Sequence, residues 1–288
     1  MAYTTIDDPS AHFQTALWTG NGGTQSITND GNSDLQPDWV WTKRRDTDGQ
    51  NHHVVDSTRG VTKTLVPNDV DTEATKSTGL TAFNSDGFSI GADANYNNNT
   101  QTYVGWQWKA NGGTTATNSN GNIDTTVQAN TTAGFSIAQW EGANSTATLG
   151  HGLGAVPEMI ISKCIDTSQE WGVYHKNVGN DDYLHLNENA AEQDNAAYWN
   201  DTTPTSTVWS VGNSGPTNDN GDTMIAYVFT PIQGYSKFGS YKGNGDADGT
   251  FIYLGFKPAF FLLKSIDITQ HWYCLLYTSD AADDLTRV

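Results

Sequence analysis

Side chains able to do chemistry are scattered through this 288-residue sequence and do not gather into a recognised motif. A zinc site draws on His and Cys at close, repeated spacing. His52 and His53 are adjacent, so on a strand they point to opposite faces, and His151, His175 and His185 have no ligand-like spacing. Calcium is the one cofactor candidate. Asn244, Asp246 and Asp248 place oxygens at alternate positions ahead of Gly249, and Asp46-Thr47-Asp48-Gly49 is a shorter version. An EF-hand would want Glu where Gly255 stands, and Asn-Gly and Asp-Gly pairs also make plain turns. Glycoside hydrolysis needs two carboxylates flanking one bond. Glu141 with Glu158, Asp166 or Glu170 could be recruited, yet the equivalent positions earlier in the chain are Thr19 and Asp38. Neither Gly-x-Ser-x-Gly nor a Cys with a His partner is present. No catalytic residues are assigned, and a non-enzymatic protein is expected.

Binding of a sugar asks for aromatic faces beside amide and carboxylate groups. Tyr96 and Asn97, within Asn95–Asn99, and Trp199 and Asn200, within Tyr198–Asp201, fall in polar loops and are the candidate ligand-binding residues. A Lys followed three residues later by Asp recurs as Lys43/Asp46, Lys163/Asp166 and Lys264/Asp267. It reads as a surface brace at a strand end, a contact of about 0–1 kcal/mol. With 14 basic and 32 acidic residues the net charge is −18. Phosphate attraction needs clustered Lys and Arg, and Lys43-Arg44-Arg45 is the only such run, so nucleic acid is not an expected partner. No segment reads as a membrane span or a secretory signal.

The elements that must position these residues come in copies. Phe88-Ser89-Ile90-Gly91 precedes Tyr103–Trp108 as Trp209-Ser210-Val211-Gly212 precedes Met224–Phe229, with 12 residues from Gly to the start of the next strand in both. Pro37–Lys43, Pro157–Lys163 and Pro258–Lys264 are three versions of one apolar strand with a polar stop. A repeat near 100–120 residues is too long for a solenoid unit, and each copy can bury its own core. Gly, Thr, Asn and aromatic residues dominate and no long 3.6 period is found, which favours short strands and turns. The expected fold is all-β: tandem antiparallel β-sandwich modules of concanavalin-like or jelly-roll type, the third truncated. The boundaries are a leader (1–11), module one (12–110), a Gly/Thr/Asn-rich linker (111–132) with a polar hairpin near Ile123–Val127 as the alternative, module two (133–233) and a partial module three (235–273). Tyr103–Trp108 alternates with period 2 and reads as a half-buried strand.

Trp18-Thr19-Gly20-Asn21-Gly22, Pro37–Arg45, Asp56-Ser57-Thr58-Arg59-Gly60, Asn84–Gly91 and Tyr103–Ala110 together resemble a repeated β-rich domain of structural proteins of marine tailed bacteriophages, often tail-fibre or appendage proteins. The likeness covers module one well; module two lacks the Asp-Ser-Thr-Arg-Gly element, and module three keeps only the opening. Residues 274–288 resemble translated sequencing-adapter read-through and read as a non-native tail. The resemblance implies a virion component, extracellular after release and without a signal peptide. Its partners would be other virion proteins and a host glycan or envelope protein, and the chain could form a homo-oligomer. The alternatives are a glycan depolymerase of a phage tail and a secreted bacterial adhesin.

Overall fold

The computed structural model describes residues 4–276; most of the tail assigned to 274–288 lies outside the described residues. After a 3-10 turn (Pro9–Ala11), module one runs β1 (Phe13–Thr19), β2 (Gln25–Ile27), β3 (Trp39–Arg44), β4 (His52–Asp56), β5 (Lys63–Thr64), β6 (Ala74–Thr75), β7 (Leu80–Phe83), β8 (Phe88–Ile90), the one-turn helix α1 (Ala94–Asn97) and β9 (Thr102–Trp108). Module two runs β10 (Ala116–Asn118), β11 (Thr125–Asn130), β12 (Phe135–Glu141), β13 (Ala147–Gly150), β14 (Met159–Cys164), β15 (Gly172–His175), β16 (Gly179–His185), β17 (Gln193–Asp194), α2 (Ala196–Trp199), β18 (Val208–Val211), α3 (Gly215–Asn218) and β19 (Thr223–Phe229). The third segment contributes β20 (Phe260–Leu263) and β21 (Tyr273–Leu276). The protein is all-β, as its composition implied.

The repeat read from the sequence is a repeat of topology and register. A sheet ordered β1-β9-β3-β4 in module one corresponds to β12-β19-β14-β15 in module two, and the small outer sheet β2-β8-β7 corresponds to β13-β18. Phe13 and Trp39 both pair with Trp108, while Phe135 and Met159 both pair with Phe229. The period-2 pattern of β9 divides its side chains as expected. Tyr103 turns outward to a core with Trp18, Phe88 and Ile90, and Val104, Trp106 and Trp108 turn the other way. Gly105 shares the outward face because a Cβ there would sit 3.1 Å from the Trp18 ring and 3.2 Å from the Phe88 ring.

Two expectations need correction. Residues 111–132 are no free linker: β10 and β11 extend the large sheet of module two to eight strands. Nor is β9 half-buried, since every residue from Tyr103 to Trp108 is buried, as is all of β14. The reason is a third core. The inner faces of the two large sheets pack against each other, with Trp39 stacked on Tyr227 at 4.3 Å between ring centres and on Phe135 at 5.8 Å. The β20–β21 hairpin joins the same interior, Phe260 meeting Trp108 at 5.3 Å and Trp106 at 5.7 Å. Each module therefore has an outer core of its own and a share of a common inner one. Among the described residues no helix is long and apolar enough to cross a membrane.

Candidate functional site

The residues singled out for sugar binding lie inside. Tyr96 and Asn97 are fully buried and Trp199 is 1% exposed, so neither ring offers a face to a ligand. The polar loops around them fold back over the outer cores. Asn97, the last residue of α1, donates through Nδ2 to the carbonyls of Gly23 (2.7 Å) and Gly91 (3.1 Å), and its Oδ1 accepts from the Asn21 amide at 2.9 Å. Asn218, at the same place in α3, donates to the carbonyls of Ser145 (2.7 Å) and Gly212 (2.9 Å) and accepts from Ala143 at 2.9 Å. These two asparagines are matched pins that close the loop after the first strand of each module. Asn200 stays half-buried in a left-handed conformation and accepts from Thr146 at 3.2 Å.

Tyr96 has its counterpart displaced in sequence but not in space. Gly79 leaves room for its ring, Cε2 lying 3.0 Å from where a Cβ would be, and the ring meets His53 at 5.2 Å. In module two the ring comes from Tyr198 on α2, Thr217 stands at the Tyr96 position, and a Cβ at Gly172, the counterpart of His53, would sit 3.2 Å from Thr217 and 3.5 Å from the Tyr198 ring. One ring fills one space, from whichever element carries it.

The recurrent Lys and Asp do not pair with each other. Lys43 donates to the Gln50 carbonyl, and Lys163 to those of Gln169 (2.8 Å) and Val70 (3.1 Å). Lys264 donates to the Ser265 carbonyl at 2.7 Å. Asp46 and Asp166 accept instead from the backbone amides of Thr102 (3.0 Å) and Thr223 (2.6 Å), at the starts of β9 and β19. The surface brace is corrected to two separate backbone fasteners. Lys163 is fully buried, and burial lowers its pKa to about 8. Asp267 lies on the exposed turn after β20. In the exposed loop proposed for calcium, Asn244 and Asp246 each accept from the amide two residues on, at 3.1 Å, and Asn244 donates to the Asp248 carbonyl. Three of the four carboxylates considered for hydrolysis are engaged separately: Glu158 with Lys176 at 2.7 Å, Asp166 with Thr223, and Glu170 with Asn187; Glu141 is exposed at the end of β12.

Two donor sets were not visible in the spacing, and both lie in module two. Cys164, Asp219 and Asp222 bring a thiol and two carboxylates within 4.8 Å of one another. Thr167 stands among them, 2.8 Å from Asp222 and 3.2 Å from Asp219. In module one the same corner holds Arg44, Asn98 and Gln101, with Arg44 paired to Asp46 at 2.7 Å and bonded to Gln101. Module two has thus replaced the cation by a buried thiol and the amides by acids. Burial pushes the Cys164 thiol pKa up, which disfavours a reactive thiolate. The second set is Glu170, His185 and Glu188. His185 lies between Glu188 (2.9 Å) and the Tyr198 hydroxyl (2.7 Å), with Tyr198 stacked on Tyr183 at 3.6 Å. Burial raises the Tyr198 pKa, and the ring is 5% exposed, so the phenol is unsuited to proton transfer with a substrate. Either set has donors suited to a divalent cation. Each set adds to a pair three residues apart a third donor from elsewhere in the chain, which is why sequence spacing alone did not mark it. A shallow groove of about 440 Å³ runs past Asn111, Thr117, Asn118, Ser119 and Asn120; its walls offer hydroxyls and amides without an aromatic face.

The densest polar construction joins the modules. Asp56 of the Asp-Ser-Thr-Arg-Gly element accepts from Arg59 Nε at 2.6 Å and from the Tyr227 hydroxyl of β19 at 2.7 Å. Arg59 Nη1 reaches Glu73 at 3.2 Å. Burial works against the charged guanidinium, but Asp56, Tyr227 and Glu73 outweigh it and raise the pKa. The loop that follows lies over module two: Trp171 Nε1 donates to the carbonyls of Val66 (3.0 Å) and Asp69 (3.1 Å), and the Glu73 amide donates to the Ile165 carbonyl at 2.9 Å. On the other side Asp38 accepts from the amides of Ala110, Gly112 and Gly113 and from Ser57, and Gln128 of β11 donates to Ser57 (3.0 Å) and Thr58 (2.7 Å). Sequence reading found the element but not its role, because its partners across the junction, Gln128 and Tyr227, are 70 or more residues away.

A family model described as a domain of unknown function (DUF7483) matches residues 8–283, so the chain belongs to that family. No curated protein matches the chain, and no solved structure does.

Proposed function

We propose that this member of the family is a non-enzymatic structural unit of a tailed-phage particle, in a tail fibre or appendage, whose outer loops offer a surface to a host glycan or envelope protein. One observation carries the structural part of the reading. The side chains best equipped for chemistry, Asp56, Arg59, Asp38 and Lys163, are buried and hold backbone or the neighbouring module in place. Such a unit resists deformation, since breaking a buried ion pair costs about 3–5 kcal/mol. The particle assignment rests on the sequence resemblance to phage structural proteins. Net charge of −18 keeps the chain soluble, and repeated display converts weak single contacts into avidity.

Antibody raised against the chain tests the assignment on particles purified by density gradient. Label on tails or appendages is the expected result; signal confined to particle-free fractions would contradict it. Incubation with host surface polysaccharide then separates retention, expected here, from chain shortening, which would favour a depolymerase.

A further inference from the structure

Successive modules dock by the same bonds at both junctions. Trp171 Nε1 donates to the Val66 carbonyl at 3.0 Å, and Trp272 Nε1 to the His185 carbonyl at 2.8 Å. The Glu73 amide donates to the Ile165 carbonyl and the Glu192 amide to that of Ile266, each at 2.9 Å. Val66 and His185 are therefore counterparts, and their places in the ladders agree: Leu65 stands opposite Val54, and Leu184 opposite Val173. The loop after each is pinned alike. Asn68 Oδ1 accepts from the His52 amide at 2.7 Å, and Asn187 Oδ1 from the Trp171 amide at 2.9 Å. Asn68 Nδ2 donates to Asn51 at 2.9 Å, and Asn187 Nδ2 to Glu170.

On this common frame module two carries different side chains. Glu170 stands where module one has Asn51, His185 where it has Val66, and Glu188 where it has Asp69. An amide, an alkyl group and one acid have become two carboxylates and an imidazole, whose ligand atoms lie within 4.8 Å of one another. Imidazole with carboxylates is a donor set that zinc accepts. Tetrahedral zinc with bonds of about 2.0–2.1 Å holds its ligand atoms about 3.3 Å apart, a spacing within reach of side-chain rotation by the two glutamates. A metal-bound imidazole gives the proton on its other nitrogen to a neighbouring acceptor. His185 meets that condition: its side chain is 9% exposed, Nε2 stands 2.7 Å from the Tyr198 hydroxyl, and Nδ1 turns to Glu188 at 2.9 Å. With the proton on Nε2, the Nδ1 lone pair faces carboxylate oxygens, an arrangement that a cation between them satisfies. Glu188, 42% exposed, leaves the set open to solvent. The Cys164 corner differs, since the Thr167 hydroxyl already stands between its two acids.

We propose that Glu170, His185 and Glu188 bind one zinc ion, with water in the fourth position, and that the ion fixes the loop on which the third segment rests. The coupling is short. The residue that supplies the imidazole also supplies the carbonyl taken by Trp272, and the same loop runs on to the Glu192 amide bonded to Ile266.

The test is calorimetric titration of the intact, metal-stripped chain with zinc chloride, repeated for Glu170→Asn and His185→Val. Both variants install the residue that module one carries at the same place, so the frame is kept. The expected result is one saturable site, weakened at least about tenfold in each variant, with exchange of the Glu192 amide slowed by roughly tenfold when zinc is added. Cobalt in place of zinc should give visible bands without thiolate-to-metal charge transfer. Absence of saturable binding at millimolar zinc, or equal binding by the natural chain and Glu170→Asn, would overturn the proposal. So would a thiolate-to-cobalt band, which assigns the ion to Cys164, or a Glu192 amide that zinc leaves unprotected.

Discussion

Asn97 and Asn218 show how single residues set the shape of this protein. Each is buried and satisfies backbone groups on two loops. An unmet buried donor or acceptor costs about 1–3 kcal/mol. Asn97→Ala is therefore expected to destabilise by roughly 2–4 kcal/mol, read as a fall in denaturant midpoint; an unchanged midpoint would contradict the role. Asn218→Ala should cost a similar amount. A sequence signal for this role existed: Asn stands six residues after Gly91 and again six after Gly212. The surrounding Asn-rich stretch suggested exposure, and only the chain's return over the outer core shows otherwise. The Cys164 corner carries the opposite lesson. Asp219 and Asp222 crowd together where module one has amides beside Arg44. Asp222→Asn relieves like-charge repulsion at that separation and should stabilise by about 0.5 kcal/mol. A lower midpoint would contradict the repulsion.

At the level of elements, the sequence was most legible where side chains alternate. The strands β3, β9, β14 and β19 and their paired copies could be read from period and punctuation, because burying both faces of a central strand leaves a strong apolar signature. β10 and β11 were barely legible. β10 is a polar edge strand, β11 lies between it and β12, and β12 supplies the apolar side of its pairing with β11. The junction between modules was legible only as an unexplained motif. Tyr227→Phe removes one donor from buried Asp56 and leaves the ring stacked on Trp39. The expected cost is about 1–3 kcal/mol. Paired with Arg59→Ala in a double-mutant cycle, it should show coupling above roughly 0.5 kcal/mol, since the two share Asp56; additive effects would contradict a joint network.

Across the whole molecule, buried histidines tie stability to pH. Burial lowers His53 and His151 to about 4 from the ordinary 6.5, and His52 and His175 shift in the same sense. The folded state resists protonation that the unfolded chain accepts. Their contribution is complete above about pH 6.5 and is lost progressively as pH falls toward 4. The denaturant midpoint should drop between pH 7 and pH 4.5, and His53→Phe should flatten that slope; a midpoint that rises on acidification would refute this. Nothing in the residue pattern announced the common inner core, because copies that each bury a core read as independent beads. The large rings of β3 and β9 were legible as core, but not as a core shared with β12, β14 and β19.

That shared interior is the central claim, and differential scanning calorimetry of the intact chain, compared with residues 12–110 and 133–233 made separately, tests it most directly. If the two sheets depend on each other's inner faces, modules one and two melt together in one transition, with calorimetric and van't Hoff enthalpies in agreement for that unit, and each separated module melts at a lower temperature or has no transition. Two transitions in the intact chain, each at the temperature of its isolated module, would contradict the account.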